Sequence, residues 1–345
     1  MTEMARRSIG GMPGRAGLAR LLGLCLLALL ALAALGSASA SAETCKKGQV
    51  LYGETCETPK EHSTWQAFRF CPLSTEPNAC VWAQSSLKEK WPSKQIREEW
   101  EESHEGTTPN QKAEFTAGNV TIYLKYPITL QGALTERYNE EGEFEKLEWV
   151  AAEGAPSIVP VAQPGPPLKR IVDISKLSSE ELNRYTFYSK VAKEMKTKAT
   201  VELAGPASAI AVNLGNLLSE TGEAFGFPVK VKLSNPFLGN DCYVGSEEHP
   251  IMTEFTTGSS GSLTGKLGTL SFNEGGSQLE VANDTIVSST FAVPGVEGCG
   301  VEGGADEALN SALGLPAASG NSSVINGTLR QAGAETVKEV NEGKA

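Results

Sequence analysis

The chain has 345 residues and is acidic, with 30 Lys and Arg against 41 Asp and Glu. That balance argues against nucleic acid or an anionic membrane surface as a partner, since both attract the opposite sign. Its three histidines, His62, His104 and His249, form no H-x-H or H-E-x-x-H pattern, so the common zinc-hydrolase signatures are missing.

The first segment, Met1–Arg20, carries Arg6, Arg7, Arg15 and Arg20 against the single acid Glu3. An apolar run of 15 residues, Leu21–Leu35, follows, and then Gly36 and the small residues Ser37 to Ala42. A basic region, a short apolar core and a small-x-small exit are the parts of a secretory signal. The core falls short of the roughly 20 residues that span a bilayer. The pattern predicts a signal peptide over 1–42 with cleavage between Ala42 and Glu43, and Ala40 as the alternative exit. Gly10, Gly11, Pro13 and Arg15 separate Arg6-Arg7 from the apolar run, which favours the general secretory route over the twin-arginine one. Leu24 before Cys25 and Thr44 before Cys45 disfavour lipidation. Removing residues 1–42 takes away four Arg and one Glu and leaves 26 basic against 40 acidic groups. No second apolar stretch reaches membrane length, so the expectation is a protein released to the exterior or held at the cell wall. The Arg- and Ala-rich signal is of bacterial type, and the sequons at Asn119, Asn283, Asn321 and Asn326 are read as incidental.

Residues 43–112 read as a small, charged, disulfide-bearing region. Six cysteines remain after the signal: Cys45, Cys56, Cys71, Cys80, Cys242 and Cys299. An even number in an exported chain points to disulfides, with 15 connectivities open to six cysteines. Cys45 with Cys56 and Cys71 with Cys80 are close in sequence around turn formers, which leaves Cys242 and Cys299 to pair by elimination. Zinc is the competing reading, but it asks for C-x2-4-C spacing or nearby histidines, and buried free thiols remain the other alternative for the last pair. A helix is expected over Ser93–Glu105, with Ser93 as cap and Ile96 and Trp100 on one face.

From residue 113 to 333 the texture is that of a β-rich core domain. Val120–Leu124 is β-branched and aromatic. Leu130–Tyr138 and Phe144–Val150 read as a hairpin closed by Asn139-Glu140-Glu141-Gly142, its glutamates forming a wet face. Five prolines between 154 and 168 enforce extended backbone, either a linker or a wrap over the core. Ser178-x-x-Glu181 is a capping box for a helix reaching about Tyr188. Phe227, Val229, Val231 and Leu233 alternate with Pro228, Lys230 and Lys232, the pattern of a half-buried strand. Further strands are expected at Thr200–Leu203, Ala209–Leu214, Thr269–Phe272, Gln278–Val281, Thr285–Phe291 and Val324–Leu329. Ala305–Leu313 reads as a helix ended by Gly314, with Pro316 beyond it. Residues 334–345 read as a polar tail. Many short strands and few helices predict a mainly β fold, an antiparallel sandwich or barrel.

No catalytic, cofactor or metal constellation stands out. G-x-S-x-G is missing, and Ser85-x-x-Lys88 lacks the companion motifs that would make it a serine-lysine site. The mature aspartates, Asp173, Asp241, Asp284 and Asp306, show no D-x-D spacing, and nothing singles out a pair among the glutamates. No cofactor is expected, and no partner can be named.

Three stretches carry a resemblance: Leu233-Ser-Asn-Pro-Phe-Leu-Gly-Asn-Asp-Cys-Tyr-Val-Gly245, Phe291-Ala-Val-Pro-Gly-Val-Glu-Gly-Cys-Gly300, and Ala308-Leu-Asn-Ser-Ala-Leu-Gly-Leu-Pro316 running on to Asn326-Gly-Thr-Leu329. Over roughly residues 113–333 the chain resembles exported actinobacterial proteins to which no activity is assigned. The resemblance implies export and supports the Cys242–Cys299 pairing, because both cysteines lie in the shared stretches. It carries over no functional residue. The expectation is a non-enzymatic structural or binding protein of the cell envelope or extracellular space. The alternatives are a secreted hydrolase using paired glutamates and an oligomeric β pore-former.

Overall fold

The computed structural model describes residues 50–52, 55–57, 64–85, 114–191, 195–273 and 276–342. The expected signal segment with its expected exit between Ala42 and Glu43, Cys45, the side chain of Cys56, and the expected helix Ser93–Glu105 lie outside the described residues.

Two antiparallel sheets make the fold. In the nine-stranded sheet the order is Thr269–Phe272, Gln278–Ser288, Ser322–Gly333, Ala79–Ser85, Thr129–Tyr138 and Phe144–Ala151. Glu114–Ala117 pairs with one end of Ser322–Gly333 and with Val120–Tyr123, and Ile158–Val159 pairs with Thr129–Tyr138. The seven-stranded sheet runs Val296–Glu297, Tyr243–Val244, Phe225–Ser234, Lys196–Leu203 and Ala162–Pro167, with Ala211–Val212 and Ile251–Phe255 also on the long Phe225–Ser234 strand. A two-stranded ribbon, Ser259–Ser260 with Leu263–Thr264, lies between strands of the two sheets in sequence.

The sheets face each other across one apolar core. Val229, Val231, Leu233, Ile251 and Phe255 from one sheet and Val81, Leu130, Val281, Ile286 and Leu329 from the other belong to the same buried cluster. Alternation produces this: Val229, Val231 and Leu233 are buried while Lys230 and Lys232 between them are not. Each fully buried Val or Leu contributes about 1.5–3 kcal/mol relative to exposure. This is the mainly β architecture that the strand count predicts. A second, smaller cluster covers the nine-stranded sheet where Trp65, Phe68 and the Cys71–Cys80 bridge meet Ala133, Ala332, Val337 and Val340.

Several elements depart from the sequence reading. Ala79–Ser85, from the region read as small, charged and disulfide-bearing, is a central strand with Ser322–Gly333 on one side and Thr129–Tyr138 on the other. The polar tail begins as a helix, Ala334–Glu342, because Ala334, Val337 and Val340 share one face and bury it. Of the strand expected over Ala209–Leu214, only Ala211–Val212 is extended; the Asn213 side chain then accepts the Asn216 N–H at 3.0 Å and starts a helix, Leu214–Ser219. The two strands expected over Gln278–Val281 and Thr285–Phe291 are one continuous strand, Gln278–Ser288, with a bulge between Ala282 and Asp284.

The proline-rich stretch is a wrap and not a linker. Ala162–Pro167 is the edge strand beside Lys196–Leu203. Proline lacks an N–H for the ladder, so an edge is where a strand with three of them fits. The helix opened by Ser178 runs Ser179–Val191, with Ser178 Oγ accepting the Glu181 N–H at 3.2 Å. The Glu181 carboxylate does not turn back to complete the capping box. Its Oε1 accepts the Val301 N–H at 3.0 Å, and both oxygens bind Arg184 at 2.6 Å.

Candidate functional site

Between the two sheets lies a cavity of about 130 Å³. Phe225, Phe227, Val229, Val231 and Phe255 form the wall on the seven-stranded side, and Ala83, Leu130, Ile286, Ile325 and Leu329 form the other. Phe227 stacks on Phe225 and tilts against Phe255, with ring centroids 6.0 and 5.9 Å apart. The polar side chains on the wall are mostly engaged with backbone. Ser85 Oγ accepts the Ile128 N–H at 2.9 Å, Thr253 Oγ1 donates to the Phe227 carbonyl at 3.0 Å, and Ser323 Oγ donates to the Glu114 carbonyl at 3.1 Å.

Asp284 is the exception in character. It lines the cavity at 5% exposure. The bulge puts it there. Side chains on a strand alternate, so Val281 and Ile286, an odd number of residues apart, share the inner face only if one extra residue intervenes. Asn283 is that residue, in the left-handed region at φ 59°. Asn is among the few side chains that tolerate that conformation. Its insertion turns Asp284 inward, directly opposite Gly327. Burial pushes the Asp284 carboxyl up to about 6, and the backbone N–H groups of Asp284 and Gly327 hold it below where burial alone would put it. No basic side chain among the described residues offsets its charge.

A smaller cavity of about 40 Å³ shares Phe115 and Val231 with the first. Thr197 Oγ1, buried and without a hydrogen-bond partner among the described residues, lies on its wall. That volume has room for a water.

The residues singled out from sequence fall elsewhere. Cys71 and Cys80 are bonded, as are Cys242 and Cys299, with Cα atoms 5.5 and 4.2 Å apart. Around the second bridge, Asp306 accepts the N–H of Cys299 at 2.7 Å and of Gly298 at 3.2 Å, and the Leu238 carbonyl accepts from Gly300 at 2.8 Å. These contacts hold a loop and bring no reactive groups together. Ser85 lines the cavity, whereas Lys88 lies outside the described residues, as do His62 and His104. His249 sits in an exposed turn. Glu223 and Glu254 are neighbouring carboxylates, and Glu223 is raised first by partial burial and then by Glu254. Both are exposed, and neither lines either of these two cavities. Among the described residues no group of three His, Cys, Asp or Glu is placed to hold a metal ion, and no helix is long and apolar enough to cross a membrane.

Sequence reasoning passed over Asp284, although a signal existed: the phase break between Val281 and Ile286 with Asn283 inside the run. No family model, curated protein or solved structure matches the chain.

Proposed function

We propose that the chain is an exported, non-enzymatic binding protein that takes up a small apolar molecule between its two sheets. The observation that carries this reading is the apolar cavity of about 130 Å³ lined by both sheets. Apolar cavities near 150 Å³ take up benzene-sized molecules. Export rests on the signal pattern of residues 1–42 and on the resemblance to exported actinobacterial proteins, and the Cys71–Cys80 and Cys242–Cys299 bridges fit an oxidising compartment.

Toluene titrated into the protein tests the reading, followed by thermal unfolding and by methyl NMR. Binding to the folded state raises stability by about 1.4 kcal/mol at ten times the Kd. The expected result is a saturable rise in Tm with shifts at Val229, Val231 and Ile286, both lost in Ala83→Leu, which fills the space. An unchanged Tm and spectrum at saturating toluene would overturn it.

A further inference from the structure

We infer that the molecule held between the sheets is an amine: an apolar body in the cavity with a cationic head seated on Asp284. This rests on the cavity being a binding site and adds the chemical class of what it binds.

Three observations carry it. First, the acid is placed by the backbone and not by chance rotation: the extra residue Asn283 turns the side chain inward, and Gly327 opposite it has no side chain to cover it. A Cβ on Gly327 would stand 3.4 Å from Asp284 Oδ1 and 2.8 Å from the Gln84 carbonyl oxygen, so the glycine keeps this part of the wall open. Second, no described residue neutralises the charge. A buried carboxylate is ordinarily paired with a cation, yet no basic side chain among the described residues offsets Asp284. Third, acceptor capacity remains. An ionised carboxylate has about four lone-pair sites, and the N–H groups of Asp284 and Gly327 are the backbone donors that act on it.

A ligand's ammonium group supplies both missing elements, the opposite charge and further donors, in a place where the pair is shielded from water. An anionic head meets the opposite situation, two like charges on an apolar wall. A hydrocarbon fills the space and leaves the carboxylate as it was.

Benzylamine, toluene and benzoate share a ring and differ in the head, so their affinities at pH 7.5 separate the terms. Benzylamine is expected to bind at least roughly tenfold more tightly than toluene, with benzoate weakest. In Asp284→Asn, whose side chain has nearly the same shape, the amine and toluene are expected to bind within about threefold of each other. The wild-type comparison stands even if that variant does not fold. Toluene binding with no preference for the amine would overturn the amine head and leave the cavity reading in place. An amine preference that survives in folded Asp284→Asn would overturn the role of Asp284. Failure of all three to bind would overturn the cavity reading itself.

Discussion

Asp284 stands directly opposite Gly327 in the ladder between Gln278–Ser288 and Ser322–Gly333, a buried acid facing the one residue without a side chain. The pairing is steric as well as electrostatic. Gly327 lies in ordinary extended strand, so its value is the space it leaves and not its backbone freedom. Gly327→Ala puts a methyl 2.8 Å from the Gln84 carbonyl oxygen of the neighbouring strand, closer than real Cβ contacts come. Backbone must move apart to admit it. The expected loss is about 1–3 kcal/mol, read as a lower urea midpoint with an unchanged slope. Toluene affinity should fall as well, since the methyl also narrows the cavity beside Asp284.

Asp284 also makes stability depend on pH, with a definite sign. Its carboxyl is raised to about 6 in the fold, against an ordinary value of 3.8. Between those values the folded state binds more protons than the unfolded state, so stability falls as pH rises. The destabilisation is fully present above about pH 6, shrinks as pH drops through 6, and is gone below the ordinary value. Its size at neutral pH is roughly 3 kcal/mol. Asp284→Asn is expected to remove this component. Urea midpoints of both proteins from pH 4 to 8 check it: the difference between them should change by most of that amount, and a parallel pair of curves would contradict it. Taking the difference cancels the contributions of Glu223 and Asp306, whose carboxyls are also raised by burial.

The parts of this fold that were legible in the sequence are those fixed by near neighbours. The alternation of Val229, Val231 and Leu233 and the Asn139–Gly142 turn are local patterns; in that turn Asn139 Oδ1 accepts the Glu143 N–H at 2.7 Å. The strand Ala79–Ser85 was not legible, because both of its edges are paired and its burial does not alternate. The Ala334–Glu342 helix looked like tail because only Ala334, Val337 and Val340 are apolar and buried, and their face is covered by Trp65 and Phe68, far away in sequence. The site was hidden for the same reason on a larger scale. Its walls come from strands nearly 250 positions apart, and a lone aspartate in a strand reads as an outward, solvated residue until the bulge is seen.

Glu181 is a second buried acid, at 3% exposure, but it is fully engaged. It ties the Ser179–Val191 helix to the loop after Cys299 by accepting the Val301 N–H, and it pairs with Arg184, whose guanidinium also reaches the Phe237 carbonyl at 3.3 Å and lies over the Phe237 ring. Glu181→Ala leaves the Val301 N–H without its acceptor and the partly buried Arg184 without its carboxylate. The expected cost is about 2–3 kcal/mol. Glu181→Gln keeps an acceptor for Val301 and should lose less. Equal losses from the two variants would show that the pairing with Arg184 carries the effect and the backbone contact does not.

The Cys242–Cys299 bridge closes the longer of the two loops, with a sequence separation of 57 against 9 for Cys71–Cys80. Within it lie Tyr243–Val244, Ile251–Phe255, Thr269–Phe272 and the whole of Gln278–Ser288 with its bulge, so the bridge encloses the strand that carries Asp284. On the chain-entropy account, constraining the unfolded chain is worth about 4 kcal/mol for the longer loop and about 2.5 kcal/mol for the shorter. Both sulfurs of the longer bridge are buried among apolar side chains, Cys242 and Cys299 each at 0% exposure. Replacing either leaves a buried serine hydroxyl beside a free thiol, a cost shared by the two single variants. Cys242→Ser and Cys299→Ser are therefore expected to lower stability by similar amounts, with the double variant little worse than either, because the crosslink is lost in full at the first substitution. Cys71→Ser should cost less than either. Denaturant unfolding of the four variants gives the ranking. Peptide mapping without reductant gives the connectivity, where a linked peptide joining Cys242 to Cys71 or Cys80 would overturn it.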